Sequence, residues 1–247
     1  MRVMSPTTAS NPFFISHLAT AGLSGYPRVV WYNQHRSKSM TTSVDALRRA
    51  LAKPLPGAGA QMRMSPKPRA GAGMAPPAEG WRPAAALLLL YPHDGEWHVL
   101  LTVRGAGLRH HTGQVSLPGG RLDAGESVEG AALREAYEEV GVEPASVEVL
   151  GRLTPLEIAV SGHILNPVVG LTSERPAFRP HTVEVDCVLE VPLARLLAPD
   201  VLGLEERVQA RPPHAVMQVP YFDIAGHHVW GATAMVLSEL LALLAED

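Results

Sequence analysis

Between Gly120 and Val142 the chain reads GRLDAGESVEGAALREAYEEVGV, and this stretch restricts the possible folds more than any other. Glu126 follows Gly120 after five residues, Arg134-Glu135 follow after seven more, and Glu138-Glu139 and Gly141-Val142 complete the pattern. Gly125 breaks the chain ahead of a helix expected over about 127–140, and Gly141 supplies its C-terminal stop. Glu135, Glu138 and Glu139 stand at offsets of zero, three and four, so they share one helical face. Three anions on one face repel one another and weaken an isolated helix. A hard divalent cation such as Mg²⁺ takes carboxylate oxygens and converts that repulsion into a site.

The rest of the composition narrows the function classes. The chain has 247 residues, room for one large domain or two small ones, and its 46% hydrophobic and 18% charged residues suit a globular core. Cys187 is the single cysteine, which excludes an intramolecular disulfide and suits a reducing, cytoplasmic setting. Its neighbours Val185, Val188 and Leu189 make it a small core residue rather than a nucleophile. No run of about 18 apolar residues is present, so no transmembrane helix is expected. Residues 1–78 carry ten Lys/Arg and one acid, Asp45, whereas residues 79–247 carry eleven Lys/Arg and 23 acids. The basic part lacks a dense cluster, so neither nucleic acid nor a membrane is expected as a partner. A phosphate-binding GxxxxGK[ST] loop, an HExxH zinc helix and a CxxC pair are all absent from the sequence.

Along the chain, residues 1–39 contain no acid, and Met40 offers an alternative start followed by a short amphipathic helix over Val44–Leu51 with Ser43 as its N-cap. Residues 54–80 are rich in Pro, Gly and Ala and read as a linker, so 1–80 is expected to be a flexible arm and 81–247 the compact domain, beginning near Arg82. Ala84–Tyr91 and Trp97–Arg104 read as two strands of a hairpin turned at PHDGE. Val147–Leu153, His163–Leu171 and Val183–Glu190 read as further strands, and Pro192–Leu197 as a short helix. Ala215–Tyr221 and Ile224–Trp230 flank a turn at Ala225-Gly226, and Ala232–Ala245 is a strong helix that must pack on the sheet. The pattern is that of an α/β layered domain.

The stretch Gly120–Val142 resembles the Nudix box, the signature of hydrolases that cleave a diphosphate linked to another group. The resemblance implies an α/β/α sandwich with a mixed sheet, and Mg²⁺ or Mn²⁺ held by Glu135, Glu138 and Glu139. It implies that Glu138 or Glu139 also acts as base, and that Arg134 orients carboxylates through Glu126 or Glu135 without touching substrate. A further carboxylate from outside the helix is common in the family, and Glu184 or Glu157 can supply it.

Upstream, LLTVRGAGLRHHTGQVSLPGG (100–120) is similar to the extension that marks the coenzyme A pyrophosphatase branch of that family. Leu100, Leu101, Thr102, Arg109, Gly113, Pro118, Gly119 and Gly120 fall at its positions, and Asn166–Gly170, Glu190–Leu193 and Trp230–Ala234 are similar in order and spacing. This implies a small-molecule substrate, coenzyme A or a derivative, cleaved to 3′,5′-ADP and 4′-phosphopantetheine. Arg109 is suited to donate two hydrogen bonds to a phosphate, and Gly119-Gly120 to let the backbone approach it closely. Another dinucleotide-like diphosphate (ADP-ribose, NADH) is the alternative substrate, and a non-catalytic binding module of the same fold a third reading.

Overall fold

The structure, a computed structural model, describes residues 44–69, 71, 77–105, 113–181, 183–209 and 214–245. Its architecture follows from Leu87–Leu90 in the middle of β1 (Arg82–His93). A strand apolar on both faces has to be covered on both. Ala85, Leu87, Leu89 and Tyr91 face one core, shared with Ala131, Ala132, Ala136 and Val140 of α3 (Val128–Val140). Ala86, Leu88 and Leu90 face the other, shared with α5 (Gly231–Ala245). The result is a sheet between helices, the expected α/β/α sandwich.

The sheet is mixed. β1 runs parallel to β7 (His163–Leu171) from Arg82↔His163 to Leu90↔Leu171. It runs antiparallel to β2 (Glu96–Arg104) only from Leu90↔Val99 to the turn at His93↔Glu96. Beyond that the two strands part, and two short segments fill the fork. β3 (Val115–Ser116) pairs with β2 through Thr102↔Ser116 and Val103↔Val115. β4 (Gly119–Arg121) pairs with β1 through Ala84↔Arg121, Ala85↔Gly120 and Ala86↔Gly119. β5 (Glu148–Arg152) and β6 (Leu156–Ile158) extend the sheet from β7. On the far side of β2 lies β8 (Val185–Pro192), which leads into α4 (Leu193–Leu196).

A second, three-stranded sheet has β10 (Val216–Ile224) at its centre, between β9 (Leu202–Val208) and β11 (His227–Trp230). The β10–β11 hairpin turns at Ala225-Gly226 as expected, with φ of 51° and 82°. β9 was not expected, because Glu205-Glu206-Arg207 interrupts any alternation of apolar and polar residues.

The expected boundary near Arg82 needs correction. Residues 54–69 are not a free linker, because α1 (Val44–Leu51) and α2 (Gly57–Gln61) cover the outer side of α5, with Leu47, Ala50, Ala60 and Met64 buried. α5 demands this cover because it is buried almost all round and carries a wholly buried acid, Glu239. The Glu239 carboxylate accepts from Gly57 N (3.1 Å), Gln61 Nε2 (2.8 Å) and Thr154 Oγ1 (2.6 Å), and Ser238 Oγ donates to Ala60 O (2.8 Å). An ionised or polar group buried this deeply requires such partners. Residues 1–43, with Ser43 and Met40, lie outside the described residues.

Candidate active site

The carboxylates are set by α3 and by the fork. Ser127 Oγ accepts from Gly130 N at 3.0 Å and caps the helix start. Gly141, with φ of 72°, ends it in the left-handed conformation, its N–H on Tyr137 O at 2.9 Å. The apolar face formed by Ala131, Ala132, Ala136 and Val140 is fixed against β1. Its rotation then turns Glu135 and Glu139 toward β4 and leaves Glu138 exposed.

Arg134 gathers the acids. Its Nε and Nη2 donate to the two oxygens of Glu126 at 2.9 and 3.0 Å, its Nη1 donates to Glu135 Oε1 (2.9 Å) and Glu138 Oε2 (3.2 Å), and Nη2 also reaches Arg121 O (3.0 Å). Glu126 further accepts from Asp123 N at 3.0 Å, which closes the loop onto the helix. The Arg134 guanidinium holds the Glu126 carboxyl below its ordinary range. Arg134 thus serves as the hub of the box, and its hydrogen bonds leave each carboxylate in one orientation.

Glu139 lies at 6% exposure, and burial, then the charge of Glu135, push its pKa up to about 8. Arg104 and the N–H of Gly119 act the other way, and Glu184 adds to the rise. Burial also raises Glu135, against the pull of Arg134 and with a contribution from Glu138 and Glu184. The structure therefore brings Glu135, Glu138, Glu139 and Glu184 into one electrostatic cluster. Glu184 reaches it from the segment before β8, where its carbonyl accepts from Gly105 N at 2.8 Å. Glu157, the other external acid considered, stands on β6 opposite Ile164.

Sequence reasoning missed Arg104. It ends β2 where the pairing with β8 shifts register, it favours the ionised form of Glu139, and its buried Nε has no hydrogen-bond partner among the described residues. The available signal was a cation closing an otherwise apolar strand.

The two glycines of β4 leave no free space for a side chain. A Cβ at Gly120 would fall on the Glu135 carboxylate, and one at Gly119 on Ala85 O and Ala86 of β1. Arg109, with His110, His111 and Thr112, lies outside the described residues. Among the described residues no three acidic or imidazole groups already converge as a finished ligand sphere. The donor set nevertheless suits a hard cation: it is all carboxylate oxygen, and the burial and neighbouring acids that raise Glu139 are what a cation's charge would offset. Among the described residues no helix is long and apolar enough to cross a membrane.

Comparison with known proteins follows the same lines. Residues 80–200 match the family model described as "NUDIX domain". "Uncharacterized Nudix hydrolase NudL" of Pectobacterium atrosepticum is 39% identical over 168 residues, which cover 66% of this chain and 83% of that protein. A protein of the same name from Escherichia coli O1:K1 is 39% identical over 157 residues, 63% of this chain and 80% of the relative. A solved structure, "Crystal structure of a Nudix Hydrolase from M. Smegmatis, RenU", is similar with a TM-score of 0.49 and 23% identity over 68% of this chain and 92% of that one.

Proposed function

The chain belongs to the Nudix hydrolase family, and on that premise we propose that its substrate is coenzyme A or an acyl derivative, hydrolysed at the diphosphate. The protein is a hydrolase of a nucleoside diphosphate derivative. The observation that carries the reading is the clustering of Glu135, Glu138, Glu139 and Glu184 beside the glycine pair of β4, with Arg134 fixing their orientation. The choice of coenzyme A is supported by the run 100–120, which begins on one arm of the fork, Leu100–Thr102 on β2, and ends on a segment that fills it, Gly119-Gly120 on β4.

Glu135, Glu138 and Glu139 would hold Mg²⁺ or Mn²⁺. A bound divalent cation supplies Lewis acidity and neutralises part of the diphosphate charge. The chain's own groups do the rest. Gly119 and Gly120 admit the diphosphate close to the backbone, and Arg109 donates to a phosphate oxygen. A water oxygen bonds to one phosphorus, the bridging P–O bond breaks, and the water proton passes to an exposed carboxylate, Glu138 or Glu184. Arg134 and Glu126 touch no reacting atom and act by positioning.

The test is product analysis with coenzyme A, ADP-ribose and NADH, each with Mg²⁺, Mn²⁺ or EDTA. Metal-dependent release of 3′,5′-ADP from coenzyme A, well above turnover of the other two, is the expected result. Turnover confined to ADP-ribose or NADH would overturn the choice of coenzyme A and keep the carboxylate site.

A further inference from the structure

At the opposite end of β4 from its glycines, three strands bring basic groups together. Arg82 opens β1 and pairs with His163, the first residue of β7. Arg121 ends β4 opposite Ala84. The Arg121 side chain crosses β1, and its Nε donates to His163 Nε2 at 3.1 Å. Ser161 Oγ holds the other ring nitrogen of His163 at 3.1 Å, and Arg82 Nη2 donates to Ser161 O.

Arg134, Arg152, Arg175 and Arg207 each hold a carboxylate. Among the described residues Arg82 and Arg121 hold none, although they are close enough to each other to act on the same imidazole. Because Arg121 Nε donates to it, His163 Nε2 must present a lone pair and the ring is the acceptor; burial, then the charges of Arg82 and Arg121, lower its pKa in the same sense. With Nε engaged, Arg121 keeps both Nη groups without a hydrogen-bond partner among the described residues, a fork that matches two oxygens of a phosphate. The carbonyl of Arg121 accepts from Arg134 Nη2, so the strand end that carries this side chain is tied to the carboxylate hub.

We propose that Arg121, Arg82 and His163 form an anion subsite that takes a phosphate monoester carried by the substrate apart from the diphosphate it loses. The proposal rests on the coenzyme A reading, in which the 3′-phosphate of the ribose is that group. The neutral imidazole orients Arg121, the two guanidiniums supply charge, and the subsite selects between substrates that share the same diphosphate.

Two paired measurements test it on wild type and Arg121→Ala. The first compares kcat/KM for coenzyme A and 3′-dephospho-coenzyme A with Mg²⁺, and the second compares calorimetric Kd for 3′,5′-ADP and 5′-AMP. Wild type should prefer the 3′-phosphorylated member of each pair, and Arg121→Ala should cut that preference about tenfold or more, through KM in the first. His163→Gln, which can still accept from Arg121, should cut it less. A preference unchanged in Arg121→Ala, or absent from wild type, would overturn the subsite. If wild type hydrolyses coenzyme A while the variant keeps its preference, the reaction stands and the subsite falls. If wild type hydrolyses neither coenzyme but shows an Arg121-dependent preference for 3′,5′-ADP, the subsite stands and the proposed reaction falls.

Discussion

Arg134 and Glu126, eight residues apart, meet through two parallel hydrogen bonds, Nε to Oε1 at 2.9 Å and Nη2 to Oε2 at 3.0 Å. The same guanidinium holds Glu135 and Glu138 through Nη1, so one planar group sets the directions of three carboxylates. A lysine retains the charge and loses the fork. Arg134→Lys should therefore fold with a near-native melting temperature and lose about 10- to 100-fold in activity or metal affinity. Steady-state kinetics under metal titration check this; a variant within twofold of wild type in both would show that the charge alone suffices.

Gly120 lies where any Cβ would fall on the Glu135 carboxylate, whereas Gly125, with φ of 81°, has open space around its missing side chain. The two glycines should respond differently to alanine. Gly120→Ala displaces Glu135 and should lower kcat/KM by about 100-fold. Gly125→Ala meets only the left-handed backbone penalty of about 1–2 kcal/mol and should keep most activity. Melting curves and kinetics on both variants separate the two; equal activity losses would place the strain in the loop rather than at Glu135.

Glu239 anchors α2 and the β5–β6 connection to the middle of α5. Its removal leaves Gly57 N, Gln61 Nε2 and Thr154 Oγ1 without their acceptor. Glu239→Ala should cost about 3 kcal/mol and open residues 52–69 to limited proteolysis. Unchanged protection of that segment would mean that apolar packing of Leu47 and Met64 alone retains it.

Glu190 gives the fold an acid limb. Arg175 holds its two oxygens at 2.6 and 2.7 Å and Tyr91 Oη donates at 3.1 Å, and these bonds, Arg175 first, lower its pKa from 4.5. A carboxyl lowered on folding contributes stability that is present above its unfolded pKa and is lost as pH falls through the folded one. Denaturation midpoints measured from pH 7 down to pH 3 should fall in wild type, and Glu190→Gln should start lower at pH 7 and fall less. Parallel acid limbs would assign the loss to other groups.

Much of this fold was legible in the chain because its signals were local. Leu87–Leu90 could only be a strand covered on both sides, and Ser127 and Gly141 marked the ends of α3. The offsets of Glu135, Glu138 and Glu139 put them on one face before any coordinates were known. What escaped was non-local. The Pro/Gly/Ala-rich segment around α2 carries no apolar period, and its place is decided by Glu239, some 180 residues away. β9 hides behind its charges and is a strand because β10 pairs with it. Arg104 and the Arg121–His163 contact became meaningful only once the fork between β1 and β2 brought separate strands together.

The carboxylate face of α3 carries the proposed hydrolysis, and turnover of Glu138→Gln tests it most directly. Glu138 is exposed, and among the described residues its hydrogen bond is to Arg134, so the exchange leaves the cores intact. With coenzyme A and Mg²⁺, the variant should lose about 100-fold or more in kcat while its circular dichroism and melting temperature match wild type. Wild-type turnover from that folded variant would contradict the assignment of the carboxylate face.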